Sequence, residues 1–180
     1  FRYETKQTRS FIRVREIHFF EAHTVHRDKQ GADEQIEEDA EMVRRILHDL
    51  CLPSIVAKRP VWDTFPGAWY TKAADVVMPN GRTLQVATYH HYRDQWAEAF
   101  DLSYEDSDGS SKMCHQTTFG MSERLLGAVV GMHGDDNGLI MPPAIAPHQV
   151  ILMPIAAHSD DRVTTAVEQI SNQLTSAGIR

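Results

Sequence analysis

The amino-terminal segment contains a cluster of arginines of the kind that binds phosphate. In FRYETKQTRSFIRVREIHFFEAH, residues 1–23, these are Arg2, Arg9, Arg13 and Arg15. The guanidinium group is planar, permanently charged and forked, so it can form two parallel hydrogen bonds with one phosphate. Alternatively, nearby carboxylates could neutralise the arginines in cross-strand ion pairs, each of modest energy. The carboxylates available for this are Glu4, Glu16 and Glu21. This segment alone does not separate a phosphate site from a salt-bridged hairpin.

A second segment, QTTFGMSERLL at residues 116–126, favours the phosphate interpretation. Its pattern is typical of a strand that ends near a glycine and leads into a helix. Such a connection would place the Arg124 guanidinium close to a backbone turn. Together with FRYE and RVREI, in this order along the chain, the pattern predicts a site for a polyphosphate.

Three further groups of residues have side chains that bind metals or act as nucleophiles in other proteins. They are Glu21–His26, His90–His91 and Cys114–His115. The first lies at the end of a strand, where its side chains need not converge. Each of the other two is a pair of strand neighbours, which point to opposite faces of a sheet. We therefore expect no metal site and no cysteine nucleophile.

The elements that must position these residues begin with a predicted hairpin of two strands, Phe1–Thr5 and Phe11–Phe20. Both are rich in β-branched and aromatic residues and are separated by a polar loop. Alternation along the second strand places Arg13, Arg15, Ile17, Phe19 and Glu21 on one face. It places Ile12, Val14 and Phe20 on the other face, which we expect to be the core face.

The rest of the chain predicts alternating strands and helices. The predicted helices are Asp33–Leu50, Gln95–Phe100, Ser122–Met132 and Asp161–Leu174. The predicted strands are Ser54–Lys58, Ala74–Met78, Arg82–Thr88, Gln116–Phe119 and Gln149–Ile155. Asn80-Gly81 is a strong signal for a hairpin turn. The proline-rich stretch Met141–Pro147 is typical of a linker, so we expect one domain at residues 1–146 and the start of a second at 147–180.

Composition restricts the possible classes of function. The net charge is −7, the pI is about 5.8 and 42% of the residues are hydrophobic. An acidic globular chain is a poor match for broad non-specific nucleic-acid binding. Cys51 and Cys114 have no pairing or metal-type spacing, which fits a reducing compartment, and no run is long enough to span a membrane. We therefore expect a cytoplasmic protein, and because the chain begins with Phe1 we expect a fragment of something larger. The tryptophans are expected in the core or in a pocket wall.

The chain resembles the catalytic domain of class II aminoacyl-tRNA synthetases, entered at the second of their three motifs. FRYE followed by RVREI resembles the second motif, and GMSERLL resembles the third, in which a glycine-rich strand end leads into a helix with an arginine. The segments TFPGA, GRTLQVATYHHY, HQTTFG and HGDDNGLIMPPAIAPHQVILMPI resemble prolyl-tRNA synthetases of the archaeal type. The resemblance runs from Phe1 to about Ile155. It implies an α/β (α+β) fold, an antiparallel sheet flanked by helices, followed by the start of an α/β anticodon-binding domain.

The resemblance also implies site residues, substrates and partners. The residues implied for ATP are Arg2, Glu4, Arg13, Gln85, Thr88, Ser122 and Arg124, with Arg2 and Arg124 as the catalytic pair. Those implied for L-proline are Arg13, Phe19, Glu21, Phe65 and His90. The partners implied are ATP with Mg²⁺, tRNA(Pro) and a second copy of the chain. In a regular strand Gln85 and Thr88 would point to opposite faces, so we expect a bulge or a bend between them.

The sequence departs from the family pattern, and two other functions stay open. The first motif and the upstream Thr-x-Glu loop are not in these 180 residues, so we expect the fragment alone to be inactive. Tyr89 stands where a small residue is frequent, which affects the expected pocket contacts.

One alternative is a non-aminoacylating, synthetase-like binding or regulatory paralogue. The other is an α/β protein-interaction module whose surface carries ion pairs.

Overall fold

A computed structural model describes residues 1–155 and 159–180. These form two compact units, Phe1–Ile140 and Met141–Arg180. The assignment of residues 1–146 and 147–180 to a catalytic and an anticodon-binding domain stays a prediction.

The first unit is built on an antiparallel sheet of five strands in the order β1-β7-β4-β3-β2. The strands in chain order are β1 (Phe19–His26), β2 (Ser54–Lys58), β3 (Tyr70–Val77), β4 (Thr83–Arg93), β5 (Ser103–Glu105), β6 (Ser111–Met113), β7 (His115–Ser122), β8 (Gly134–Asp135) and β9 (Gly138–Leu139). The helices are α1 (Lys29–Asp49), α2 (Gln95–Phe100), α3 (Arg124–His133) and α4 (Asp161–Ser176). The pairs β5–β6 and β8–β9 are small separate hairpins. The predicted class, an antiparallel sheet flanked by helices, is confirmed.

Helix α1 covers one face of the sheet. Its first turn is capped by Asp28, whose carboxylate accepts a hydrogen bond from the Gly31 N–H at 2.9 Å. Its buried apolar stripe contains Ile36, Val43 and Leu47, the face that the helical spacing predicts. The side chains of the helix and the sheet on this side make the main core.

The sheet separates this core from a second, open face. Tyr89 and Phe119 are buried and their rings stack at 5.3 Å. His91 reaches to within 3.6 Å of Asp33 on α1. Since side chains alternate along a strand, the residues between these, such as His90, point to the opposite face. That face carries the candidate site.

The predicted amino-terminal hairpin is wrong as a pair of regular strands. Only the last two residues of Phe11–Phe20 lie in a strand, and Phe1–Thr5 contains none. The two segments still approach each other, since the Arg2 N–H donates to the Arg15 carbonyl at 2.7 Å and Arg9 bridges Arg13. Phe11 has φ 60°, in the left-handed region, so the backbone there forms a turn and not the extended start of a strand.

The prediction that Phe20 lies in the core is also wrong. Its side chain is 56% exposed and meets Phe119 only edge-on, at 5.6 Å. It lies on β1, the terminal strand of the sheet. Ile12 and Val14 are half-buried. An ideal Cβ at Gly127 on α3 would lie 2.6 Å from the Ile12 Cδ1 atom, so Ile12 packs directly on that helix.

Most other predicted elements are confirmed. Ser54–Lys58 and Gln95–Phe100 match β2 and α2. The Asn80-Gly81 turn joins β3 to β4, and the Asp161–Leu174 prediction matches α4.

The strand prediction for Gln149–Ile155 is wrong. The backbone there is irregular, and the N–H groups of Gln149 and Val150 donate to the Arg180 carbonyl instead of to a strand. No helix among the described residues is long and apolar enough to cross a membrane.

Candidate functional site

The open face of the sheet forms the floor of a cavity of about 880 Å³ in the first unit. Strands β1, β7, β4 and β3 contribute to its floor. The opening segment, residues 1–17, and the loop between β2 and β3 form its walls. The residues lining it fall into a cationic end and an aromatic end.

A bulge in β4 brings the predicted nucleotide residues to the same cavity. Ala74 on β3 pairs with Ala87, but the next residue, Asp75, pairs with Gln85, so Val86 has no partner of its own. This extra residue reverses the alternation, and both Gln85 and Thr88 line the cavity. The predicted bulge is confirmed.

Arginines converge at the cationic end. The Arg124 backbone N–H donates to the Ser122 hydroxyl oxygen at 3.3 Å, and the Arg124 Nε donates to the Ile12 carbonyl at 3.1 Å. Burial, together with the positive charges of Arg2 and Arg13, lowers the pKa of the Arg124 guanidinium. The three guanidinium groups are therefore close enough to repel one another, and an anion bound between them would relieve that repulsion.

The glutamates neutralise this cluster only in part. Glu4 accepts from Arg13 at 3.1 Å, as the ion-pair interpretation predicts. Glu21 pairs with His23 rather than with an arginine. In the part of the chain that the structure describes, Arg2 and Arg124 have no carboxylate oxygen within 4.0 Å. The cationic end therefore keeps an excess of positive charge after the pairing of Glu4 with Arg13.

The aromatic end lies over Gly120 on β7. An ideal Cβ at Gly120 would lie 2.5 Å from the Phe19 Cζ atom, so the Phe19 ring occupies the space that any side chain would need. Phe65 approaches His90 with ring centroids 4.6 Å apart and Tyr92 at 6.3 Å. Phe19, Phe65 and Tyr92 therefore give this end of the cavity an aromatic lining.

Two ionisable groups, His90 and Glu21, also line the cavity. Burial lowers the pKa of His90 to about 4, so its imidazole is neutral at physiological pH. The negative charge of Glu21 acts in the opposite direction and is smaller in effect. Thr71 Oγ1 lies 2.9 Å from the His90 Nδ1 atom.

All of the residues predicted for ATP and proline line this one cavity. They are Arg2, Glu4, Arg13, Phe19, Glu21, Phe65, Gln85, Thr88, His90, Ser122 and Arg124. The structure therefore brings together the whole predicted set, while the role of each residue stays a prediction.

The sequence did not point to several residues of the cavity. Arg59 donates to Asp75 at 2.8 Å and to Gln85 at 3.4 Å, and so holds the glutamine in place. Thr71 and Tyr92 also line the cavity. Of these, only Tyr92 carried a signal, since it stands two positions after His90 on the same strand face.

The three tryptophans, predicted in the core or in a pocket wall, lie in different parts of the structure. Trp62 is 89% exposed at the rim of the cavity, so it belongs to a wall and not to the core. Trp96 stacks on Tyr92 at 4.2 Å. Trp69 lies on the other side, with the Arg93 guanidinium 3.7 Å from its ring centroid.

Two other expectations can be compared with the geometry. Tyr89 stacks on Phe119 on the α1 side and does not line the cavity, so its bulk leaves the pocket contacts unchanged. Among the described residues no group of three or more histidine, cysteine, aspartate or glutamate side chains could hold a metal ion. Cys51 and Cys114 are free thiols.

Known proteins are similar to this chain over its whole length. The family model for the tRNA synthetase class II core domain (G, H, P, S and T) matches residues 1–133. The chain is 52% identical over 182 residues to a proline–tRNA ligase of Pyrococcus horikoshii and 52% identical over 180 residues to one of Thermoplasma volcanium. In both alignments it covers 100% of its own length and 38% of the relative.

A solved structure is similar over the same range. The prolyl-tRNA synthetase of Giardia lamblia in complex with prolyl-adenylate has a TM-score of 0.90 and 38% identity to this chain. The match covers 100% of this chain and 38% of that one, so the chain spans about two fifths of the length of its relatives. The family model covers well over half of the residues, and the resemblance to archaeal-type prolyl-tRNA synthetases is confirmed. The chain therefore belongs to the class II tRNA synthetase core-domain family.

Proposed function

We propose that the polypeptide carrying this chain is a proline–tRNA ligase. It activates L-proline with ATP and transfers the prolyl group to tRNA(Pro). The observation that carries this proposal is that one cavity has a guanidinium cluster at one end and an aromatic lining at the other. The relatives that are named proline–tRNA ligases support it.

The cationic end is suited to the triphosphate of ATP. Arg2 contacts the α-phosphate, Arg13 a neighbouring phosphate oxygen and Arg124 the γ-phosphate. Glu4 lies on the adenine side. The positions of Gln85, Thr88 and Ser122 along the same wall suit contacts to the nucleoside. Guanidinium groups are matched to phosphate in both charge and geometry.

The aromatic end is suited to a pyrrolidine ring. Phe19 and Phe65 supply flat apolar walls, and His90 is neutral at its back. Glu21 and Arg13 are the charged groups available to the amino and carboxylate groups of proline. A small apolar slot with a few placed polar groups is the usual form of a small-molecule site.

The chemistry requires positioning and charge stabilisation more than a protein base. The proline carboxylate is already ionised at neutral pH, and its oxygen attacks the α-phosphorus in line while the bond to pyrophosphate breaks. Charge builds on the phosphate oxygens, where Arg2 and Arg124 stabilise it. The adenylate then passes its acyl group to the tRNA hydroxyl and releases AMP.

Magnesium would enter with the nucleotide. Glu123, next to Arg124, has a buried Oε2 atom without a hydrogen-bond partner in the described part of the chain. Carboxylate oxygens are preferred Mg²⁺ ligands, and Mg²⁺ in such sites takes only one or two of them, the rest being phosphate and water. When bound, the ion neutralises the phosphates and fixes their orientation.

Further parts of the proposal concern the whole polypeptide. Residues 1–146 belong to the catalytic domain and 147–180 to an anticodon-binding domain. The enzyme acts as a cytoplasmic homodimer, with no membrane partner. The similarity to long relatives, of which this chain spans 38%, supports the tRNA partner.

ATP–pyrophosphate exchange in the full-length polypeptide tests the proposal. Proline should support exchange, leucine and glycine should not, and tRNA(Pro) should be charged. The 180-residue chain alone should give no exchange. Saturable Mg-ATP binding without exchange by the full-length polypeptide would favour the synthetase-like paralogue. ATP affinity unchanged by Arg2→Ala and Arg124→Ala would favour the interaction module.

A further inference from the structure

Thr71 lies at a junction between three parts of the aromatic end. It is 3% exposed and stands directly opposite His90 in the β3–β4 register. Its Oγ1 atom lies 2.9 Å from His90 Nδ1 and 3.0 Å from the Phe65 amide nitrogen. One hydroxyl thus contacts both the histidine and the aromatic residue that packs against it.

The donors and acceptors at this junction determine the direction of each hydrogen bond. The Phe65 N–H can only donate, so the Thr71 oxygen accepts from it. A hydroxyl has a single hydrogen, and among the described residues His90 Nδ1 is the one acceptor within reach of it. If Nδ1 instead carried the proton, the buried threonine hydrogen would be left without a partner, which is costly.

We propose that Thr71 is a positioning residue that holds His90 as the Nε2–H tautomer and fixes the loop between β2 and β3, residues 59–69, at the aromatic end of the cavity. Its use in catalysis rests on the proposed function, whereas the tautomer itself does not. Nε2, the other ring nitrogen, has no hydrogen-bond partner in the described part of the chain and is left to donate to the substrate. The acceptor that this donor suits is a carboxylate or acyl oxygen.

Thr71 also anchors the start of the loop between β2 and β3. The Thr71 carbonyl accepts from the Arg59 N–H at 2.8 Å, and its hydroxyl accepts from the Phe65 N–H six residues further along. The loop between these two points carries Trp62 and Asp63, both of which line the cavity. Thr71 therefore controls the placement of the loop as well as the proton on His90.

The test compares Thr71→Val, which keeps the shape but removes the hydroxyl, with Thr71→Ser, which keeps the hydroxyl. The full-length polypeptide is labelled with ¹⁵N-histidine, and the ring nitrogen shifts of His90 are assigned with His90→Gln. In the wild type and Thr71→Ser, Nδ1 should be unprotonated and Nε2 protonated. In Thr71→Val a population protonated at Nδ1 should appear.

Exchange kinetics provide the second readout. Thr71→Val should raise the KM for proline about tenfold, the factor that corresponds to about 1.4 kcal/mol, with the KM for ATP unchanged. Thr117→Val is the matched control, because Thr117 is a buried threonine that bonds Thr24 at 2.6 Å on a different pair of strands and does not line the cavity. It should change neither the tautomer nor the KM.

The outcomes separate this inference from the proposed function. A wild-type His90 protonated at Nδ1 overturns the inference, and this holds even if Thr71→Val fails to fold. An unchanged tautomer and KM in folded Thr71→Val also overturn it. If the tautomer shifts as expected but the wild type shows no proline-dependent exchange, then the positioning role stands and the proposed ligase function fails.

Discussion

Gly120 lines the cavity beneath Phe19, and replacing it with alanine should distort the aromatic end. On either side of it in the register are Glu21 of β1 and Thr88 of β4. Because Gly120 has no side chain, the Phe19 ring can lie across it. Gly120→Ala introduces a single methyl group at the point where the proposed proline slot meets the sheet.

The size of the effect follows from the geometry. The ideal Cβ lies 2.5 Å from Phe19 Cζ, which is 0.9 Å short of the 3.4 Å at which ordinary contact begins. Phe19 is 53% exposed, so its ring can swing outward, and the stability cost should stay below the about 1–3 kcal/mol of overpacking in a closed core. A displacement of about 1 Å in a positioned site costs up to about 100-fold in rate. We therefore expect kcat/KM for proline to fall about 10- to 100-fold.

The assay is proline-dependent ATP–pyrophosphate exchange, with thermal unfolding measured in parallel. Gly131→Ala is a matched control, since its Cβ would lie 2.7 Å from the end of the Met78 side chain, outside the cavity. The control should leave exchange unchanged. The double variant Gly120→Ala with Phe19→Leu removes the clash and should recover part of the lost activity. A folded Gly120→Ala enzyme with unaltered kinetics for proline would refute the account of the Phe19 wall.

Two other predictions concern charge. Arg124→Ala should raise the KM for Mg-ATP about 10- to 100-fold, because a hydrogen bond between charged groups contributes about 1.5–3 kcal/mol. The control, Arg162→Ala, removes only an exposed pair with Asp160 and should leave this KM unchanged. Equal effects in the two variants would count against the phosphate site. Burial lowers the pKa of His90 to about 4, below that of a histidine in the unfolded chain. Between about pH 6.5 and 4 the native state therefore binds fewer protons than the unfolded state. The free energy of unfolding should fall as the pH drops from about 6.5 to 4. Urea unfolding at several pH values should show a smaller decline in His90→Gln, and an identical decline would contradict the pKa shift.

The sequence predicted those parts of the fold whose patterns are local. The apolar stripe of α1 and the Asn80-Gly81 turn each specify an element within a short window. The bulge at Val86 was predicted only because two residues of the family pattern had to share a face. The failures, at residues 1–18 and 149–155, are segments whose apolar and β-branched residues favour strands but which lack neighbouring strands to complete a ladder in the described structure.

The candidate site, too, was predicted from the sequence only in part. His90 was found because the resemblance assigns its position, whereas Arg124 was already indicated by the strand-to-helix pattern of residues 116–126. Charge patterning alone left the arginine cluster undecided. The sequence did not predict Thr71 and Arg59 as site residues, because their hydrogen bonds to other cavity residues form between separate strands and loops. A threonine in the middle of a strand carries no signal of the two hydrogen bonds that its hydroxyl will make.

Calorimetric titration with a non-hydrolysable prolyl-adenylate analogue tests the central claim most directly. The claim is that the cationic end and the aromatic end of the cavity act as one site for activated proline. The full-length polypeptide should bind the prolyl analogue about 100-fold more tightly than the leucyl analogue, and Arg124→Ala should weaken the binding of both. Equal affinities for the two analogues, or binding that is insensitive to Arg124→Ala, would contradict it.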